Sequence, residues 1–120
     1  MDPIIKKGDA LLREKNLIRA NFKCEMCGTD QDRLDNHHLL PKSVYPQHRF
    51  KPENTTILCW KKCHNEAEVF PERFLSEAIL IPRLRDRVLW RDEHNKIGMN
   101  PVEVDYEGMF EVLKDDGVSE

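Results

Sequence analysis

Several features are missing from this sequence, and each absence narrows what it can be. No apolar run reaches the roughly 20 residues that a membrane helix needs. The segment after Met1 is broken by Asp2, Lys6, Lys7 and Asp9, so neither a membrane span nor a secretory signal peptide is expected. There is no internal repeat and no long linker, and 120 residues suit one domain. Apolar residues are few, 39% against 34% charged, so the interior must be modest. Domains with small cores commonly rely on a staple, either a metal or disulfides. Cysteine is scarce too: the four present are Cys24, Cys27, Cys59 and Cys63. With no secretory route, a reducing, cytoplasmic setting is expected, and there paired cysteines indicate metal rather than disulfide. For the same reason Asn54-Thr55-Thr56, which matches a glycosylation acceptor, is read as unmodified.

What is present is unevenly spread. The net charge of −3 does not by itself point to nucleic acid. Residues 6–65, however, carry 12 Lys/Arg against 7 Asp/Glu, and residues 66–120 carry 7 against 14. The cysteines and a histidine pair lie in the basic half. Such asymmetry permits nucleic-acid contact by one half, and equally describes an uneven solvated surface. The acidic half reads as a helical cap over the core or as a docking surface for a protein partner.

Local patterns predict helices at both ends. Asp2-Pro3 has the form of an N-cap followed by a first-turn proline. Ile4, Ile5, Leu11, Leu12 and Ile18 supply an apolar face, weakened by Gly8. Phe22 to Thr29 reads as a tight metal-binding turn, Leu34 to Leu40 as a strand, and 41–53, with Pro41, Pro46 and Pro52, as a loop. Thr55 to Leu58 is a short β-type run. A helix is expected from near Cys63 to Val69 or Phe70. Another is expected from Pro71 through Leu75, Ala78 and Ile79, ended or kinked by Pro82 and resumed through Leu84, Val88 and Leu89. Asn100-Pro101-Val102-Glu103 resembles a capping box and predicts a last helix to Lys114. The tail, 115–120, is expected to be disordered.

Cys24-x2-Cys27 and Cys59-x3-Cys63, with 31 residues between the pairs, offer four thiolates. Tetrahedral zinc takes four such ligands, and short spacings let both members of a pair reach one ion. Four cysteine ligands close the site, so that ion is expected to be structural.

The segment Asp35-Asn36-His37-His38-Leu39-Leu40-Pro41-Lys42-Ser43 is the most informative. On a strand, His37 and His38 point to opposite sides. One imidazole can hold a metal while its neighbour addresses a water. Asn54 precedes the second cysteine pair, and His64 follows Cys63, at an expected helix start. Glu68 lies four residues on, on the same helical face. Lys42, Arg49, Lys51, Lys61 and Lys62 surround these residues as candidate phosphate contacts, which position nucleic acid without reading its sequence. Arg73, Arg83, Arg85, Arg87 and Arg91 either extend that track or pair with Glu72, Glu77, Asp86 and Asp92. His48 and His94 are read as non-catalytic.

Taken in order, Cys24-x2-Cys27, His37-His38-Leu39-Leu40-Pro41, Asn54-Thr55-Thr56-Ile57-Leu58-Cys59 and Cys63-His64 resemble the HNH, or His-Me finger, endonucleases. The likeness runs from Phe22 to Glu68, somewhat over a third of the chain. It implies an α+β fold with a small zinc-stapled ββα-metal (treble-clef-like) core and added N- and C-terminal helices. It implies a single nuclease domain over residues 1–114, with the motif core at 22–70. It also implies DNA as the partner and phosphodiester hydrolysis as the reaction. His38 would be the general base, with His37 and His64 as ligands of a catalytic divalent ion, and Asn54 would brace the loop holding His38. Mg²⁺ or Mn²⁺ are the ions implied, and the histidine ligands also admit Ni²⁺ or Zn²⁺. The sequence departs from the pattern twice. Three residues, not two, separate Cys59 from Cys63, and Glu68 stands where many members carry His or Asn, as a candidate third ligand. Arg49-Phe50 with Glu53-Asn54 is similar to phage recombination proteins of this superfamily. With that narrower likeness goes one alternative, a structure-selective nuclease of phage recombination acting on branched DNA; the expected location is the cytoplasm of a bacterium or phage-infected host. Also open at this point are a restriction or toxin role and, without catalysis, a zinc module that binds DNA or protein without cutting.

Overall fold

The computed structural model describes residues 2–96 and 103–115. The chain opens with helix α1, Pro3–Arg19, capped as its first residues dictate: the Asp2 carboxylate accepts a hydrogen bond from the Ile4 amide at 2.9 Å. Gly8, Leu12 and Asn16, spaced at one per turn, form its buried stripe. The expectation that Ile18 belongs to that face is corrected, because it lies off the stripe and is 62% exposed. Gly8 does not weaken the helix without return. The Phe50 ring lies directly against it, and any Cβ there would collide with that ring. After α1, Asn21 and Phe22 adopt positive φ, turning the chain into the first cysteine pair.

Two strands follow, β1 (Leu34–His38) and β2 (Thr55–Cys59), antiparallel, with Leu34 opposite Cys59 and His38 opposite Thr55. β1 stops two residues short of the predicted Leu40. There the Asn54 side chain takes the Leu40 amide, at 2.8 Å, out of the ladder. The loop between the strands is shaped by two short 3₁₀ turns, each opened by a proline, at Pro46–His48 and Pro52–Asn54. β2 is buried along its whole length, and its polar members are satisfied. Thr55 accepts from Asn16 Nδ2 at 2.7 Å, and Thr56 donates to Glu25 at 3.1 Å.

A single wide turn, Trp60–His64, carries the second cysteine pair into helix α2, Asn65–Val69. This turn begins three residues before the expected helix start, taking up the extra residue between Cys59 and Cys63. Helix α3 (Pro71–Ala78) starts at the predicted proline, and Pro82, expected to end or kink it, opens α4 (Pro82–His94) four residues after α3 ends. Leu84 and Val88 are buried, whereas Leu89, expected beside them, is 49% exposed. Helix α5, Tyr106–Asp115, starts later than the sequence suggests. Asp105 accepts from the Gly108 amide at 2.9 Å and acts as the cap. Of the expected capping box, Asn100 to Val102 lie outside the described residues and Glu103 precedes the helix. Of the tail, Asp115 closes α5 and 116–120 lie outside the described residues.

Packing places the sheet between helices. Asn16 of α1 bonds Asn36 and Thr55, while His37 meets Phe74 of α3 edge-on at 6.0 Å. Leu58, Ala67, Phe74, Ala78, Leu84 and Val88 form the larger core together with three of the cysteines. Leu12, Phe50 and Leu113 form a smaller one where α5 docks on α1. Glu25, 2% exposed, links the layers: it accepts from Arg19, Arg87 and the Ile57 amide, each at 2.9 Å. Arg87 therefore belongs to a buried ion network rather than to a phosphate track or to pairs with its sequence neighbours. Among the described residues no helix is long and apolar enough to cross a membrane.

Candidate functional site

The cysteine pairs meet as their spacing predicts. The Sγ atoms of Cys24, Cys27, Cys59 and Cys63 all lie within 4.8 Å of one another. Cys27 and Cys59 are 3.8 Å apart, the edge of a tetrahedron with metal–sulfur bonds of about 2.3 Å. Gly28, at φ +84°, makes the tight turn of the first pair, with its amide bonded to the Cys24 carbonyl at 2.8 Å. The amides of Cys27 and Cys63 point at Cys24 Sγ and Cys59 Sγ, each at 3.4 Å. Burial pushes the Cys24 thiol up, but backbone hydrogen bonds at Cys27, Cys59 and Met26 outweigh it and leave the thiol below its ordinary value. Cys63 is pushed up, by burial first and then by the charge on Cys24. Four such sulfurs cannot all ionise side by side without a cation among them. The donor set thus fits a metal such as zinc.

The histidines gather on β1 and at the end of the wide turn. His37, His64 and Glu68 offer ligand atoms within 4.8 Å of one another. His37 is neutral at any ordinary pH. Burial, with His64 and His38 nearby, holds its pKa down to about 3. His64 Nδ1 lies 2.8 Å from Asp35 Oδ2, and its Nε2 lies 3.5 Å from Glu68 Oε1. A carboxylate can only accept, so Nδ1 donates to Asp35, which leaves Nε2 as the nitrogen that would turn its lone pair to a cation held with Glu68. Burial alone would raise the Asp35 carboxyl, but hydrogen bonds from Arg33 and His64 hold it below its usual range. This donor set of two imidazoles and a carboxylate fits a divalent cation.

His38 is arranged differently. Its Nε2 lies 2.9 Å from the Arg49 carbonyl, which also can only accept. In the neutral ring Nε2 therefore donates and Nδ1 is the basic nitrogen. Burial lowers the His38 pKa below 6.5, opposed by the Arg49 carbonyl and reinforced by Lys42. Asn54, fully buried, fixes the loop that supplies this carbonyl. Its Oδ1 accepts from the Leu40 amide, and its Nδ2 donates to the carbonyls of Leu40 and His48, at 3.1 and 3.3 Å. Asn54 reaches only backbone and so acts by positioning. His37, His38, His64, Glu68, Lys42 and Arg91 share the walls of one open cavity of about 530 Å³.

The expected phosphate contacts separate into two groups. Lys42 lines the cavity, Lys61 lines a neighbouring one beside His64 and Glu68, and Lys62 is exposed on the same turn. Arg49 is committed elsewhere: Asp9 grips it through two bonds of 2.9 and 2.6 Å, and its side chain is 14% exposed. Lys51 lines a groove against α5, apart from the histidines. His48 and His94 stay out of the cavity. They pack on Trp90, at 5.1 and 4.1 Å between ring centroids, and clip the loop to α4.

Sequence reasoning missed Asp35, although a signal was there. Two residues before His37 on a strand, an acidic side chain shares the face that meets His64. Comparison with protein-family models, with curated proteins and with solved structures returns no match. Any assignment of function therefore rests on residues and geometry.

Proposed function

We propose that the chain is a metal-dependent endonuclease of the HNH type that hydrolyses DNA phosphodiester bonds. The observation that carries this reading is the tautomer lock on His38. A loop braced by the buried Asn54 presents a carbonyl to Nε2 and leaves Nδ1 as a base beside the His37–His64–Glu68 donors. A metal-binding module without catalysis has no need for a half-buried histidine whose basic nitrogen is fixed in this way. The order β1, β2, wide turn, α2, with a cysteine pair before the hairpin and another at its end, supports a treble-clef-like ββα core.

In this reading the substrate phosphate enters the cavity between Lys42 and the histidines. Lys42 and Lys61 hold the backbone through charge. His38 Nδ1 takes a proton from water as the water oxygen bonds to phosphorus, the bond to the 3′ oxygen breaks, and the leaving oxygen is protonated from solvent. A divalent ion on His37, His64 and Glu68 would supply Lewis-acid relief of phosphate charge. Zinc on the four cysteines would hold the hairpin and α2 together and take no part in the chemistry. Among the described residues no feature marks a base-reading helix, so weak sequence preference, or preference lent by a protein partner on the acidic C-terminal half, goes with this function. A cytoplasmic setting goes with a site of four metal-binding thiolates.

The test is supercoiled plasmid incubated with and without Mg²⁺, Mn²⁺ or Ni²⁺, beside His38→Ala. Nicking or linearisation that depends on the ion and falls by about 10²–10⁴ in the variant is the expected result. No cleavage with any ion, or full cleavage by His38→Ala, overturns the assignment, the former in favour of a binding module. A panel of linear, nicked and branched DNA then decides whether the enzyme is a structure-selective recombination nuclease.

A further inference from the structure

Trp60 is one of two tryptophans in the chain, yet it belongs to neither core cluster and is 47% exposed. Its backbone is fixed, since its amide donates to the Arg33 carbonyl at 2.9 Å at the end of the hairpin. One side of the indole is covered: the Arg33 guanidinium lies 4.4 Å from the ring centroid. The ring also borders an open cavity of about 430 Å³, whose other walls are Lys61, His64, Asn65 and Glu68. Arg33 does not line that cavity. It lines another, with Asp35 and His38, where its Nε bonds Asp35 Oδ1 at 3.0 Å. A guanidinium thus covers the indole, while the half-exposed Trp60 shares the walls of a different cavity with two of the candidate ion donors.

We propose that Trp60 is a stacking platform for an unpaired nucleobase next to the scissile phosphate, with Lys61 holding the adjoining backbone. A base needs an aromatic plane open on one face, a nearby cation for the phosphate, and room for one planar ring, and this cavity supplies all three. A base inside a duplex is already stacked on both faces and cannot lie on Trp60. The inference rests on the nuclease reading and narrows its substrate class to DNA with a single-stranded or splayed nucleotide at the cleavage position. The chain of contacts Trp60–Arg33–Asp35–His64 also ties the platform to a metal-ligand candidate, so base and phosphate would be set in register.

The test measures binding without added divalent ion, so that cleavage does not enter. In a Trp90→Phe background Trp60 is the sole indole, and a ten-nucleotide oligothymidylate is expected to quench its emission. In the otherwise unchanged chain, Trp60→Ala should weaken that oligonucleotide by about 5- to 150-fold, with Trp60→Phe retaining most of the affinity and duplex binding unaltered. Bound oligothymidylate without quenching, or an equal loss on single-stranded and duplex DNA, overturns the proposal. Should Trp60→Ala fail to fold, quenching and the Trp60→Phe comparison decide. A chain that binds and quenches but never cuts would sink the nuclease reading and leave the stacking site standing. A chain that cuts without quenching would do the reverse.

Discussion

The cysteine cluster and the histidine cluster share one two-stranded sheet and one wide turn, but they are built for opposite ends. Four like donors converge at the first, three of them buried, with amides pointing at the sulfurs and no bordering cavity among those described. At the second the donors are mixed, Glu68 is 64% exposed, and open cavities adjoin. Hydrogen bonds there act one step behind the donors: Asp35 on His64, and the Arg49 carbonyl on His38. A closed set of equal ligands stores binding energy as folding energy. An open, unequal set leaves room for a substrate and fixes which nitrogen is free to act.

The sharpest way to break this contrast is to remove one donor from the closed cluster. Cys63→Ser should abolish stoichiometric zinc and the cooperative thermal transition. In isolated zinc modules the metal contributes about 10–16 kcal/mol, more than a small domain's whole stability. Metal analysis and calorimetry on parent and variant check this. A zinc-free parent with an unchanged melt in the variant defeats the staple. The corresponding change in the open cluster, His37→Ala, should leave zinc content and the melt near those of the parent.

Next in size is the carboxylate behind His64. Asp35→Ala frees the imidazole to turn and to carry its proton on either nitrogen. Affinity for the catalytic ion is expected to fall by about 10–100-fold, with structural zinc retained. Titrating Mn²⁺ against cleavage rate and against a binding signal reads this. Equal metal affinity in parent and variant would show that Asp35 serves only Arg33.

The pH profile follows from the burial of His38. Its pKa lies below 6.5, so the neutral base persists to lower pH than a free imidazole would allow. At saturating divalent ion, cleavage should be flat around pH 7–8. It should then fall about tenfold per pH unit on a single limb placed below pH 6.5. The sign is decisive: a limb above that value would mean that the charged form is favoured and that the Arg49 carbonyl outweighs the burial of the ring.

Some of this was legible in the sequence because it is local. The Asp2 cap, the proline start of α3, the cysteine spacings and the alternation of His37 and His38 all lie within a few residues. What escaped the sequence depends on long-range pairing. Arg49 finds Asp9 across 40 positions and Arg87 finds Glu25 across 62, so both look like free cations until the fold is known. Ile18 fits a loose helical stripe but lies off the one set by Gly8, Leu12 and Asn16, whose polar member is buried because it bonds two strands. Periodicity reports which faces exist. It does not report which partner claims each face.

The smallest expected effect tests the same point on cations. Lys42 borders the histidine cavity, whereas Lys51 borders the groove against α5. Each neutralised phosphate contributes about 0.9 (about 0.7 on single strands) to the slope of log affinity against log salt. Lys42→Ala should therefore lower that slope by roughly one contact, and Lys51→Ala should leave it unchanged. Both sit in the basic half of the chain and look alike there, so net charge cannot separate them. If the two variants lose the same slope, phosphate contact is spread over the basic surface, and the open cluster loses its claim to place the strand.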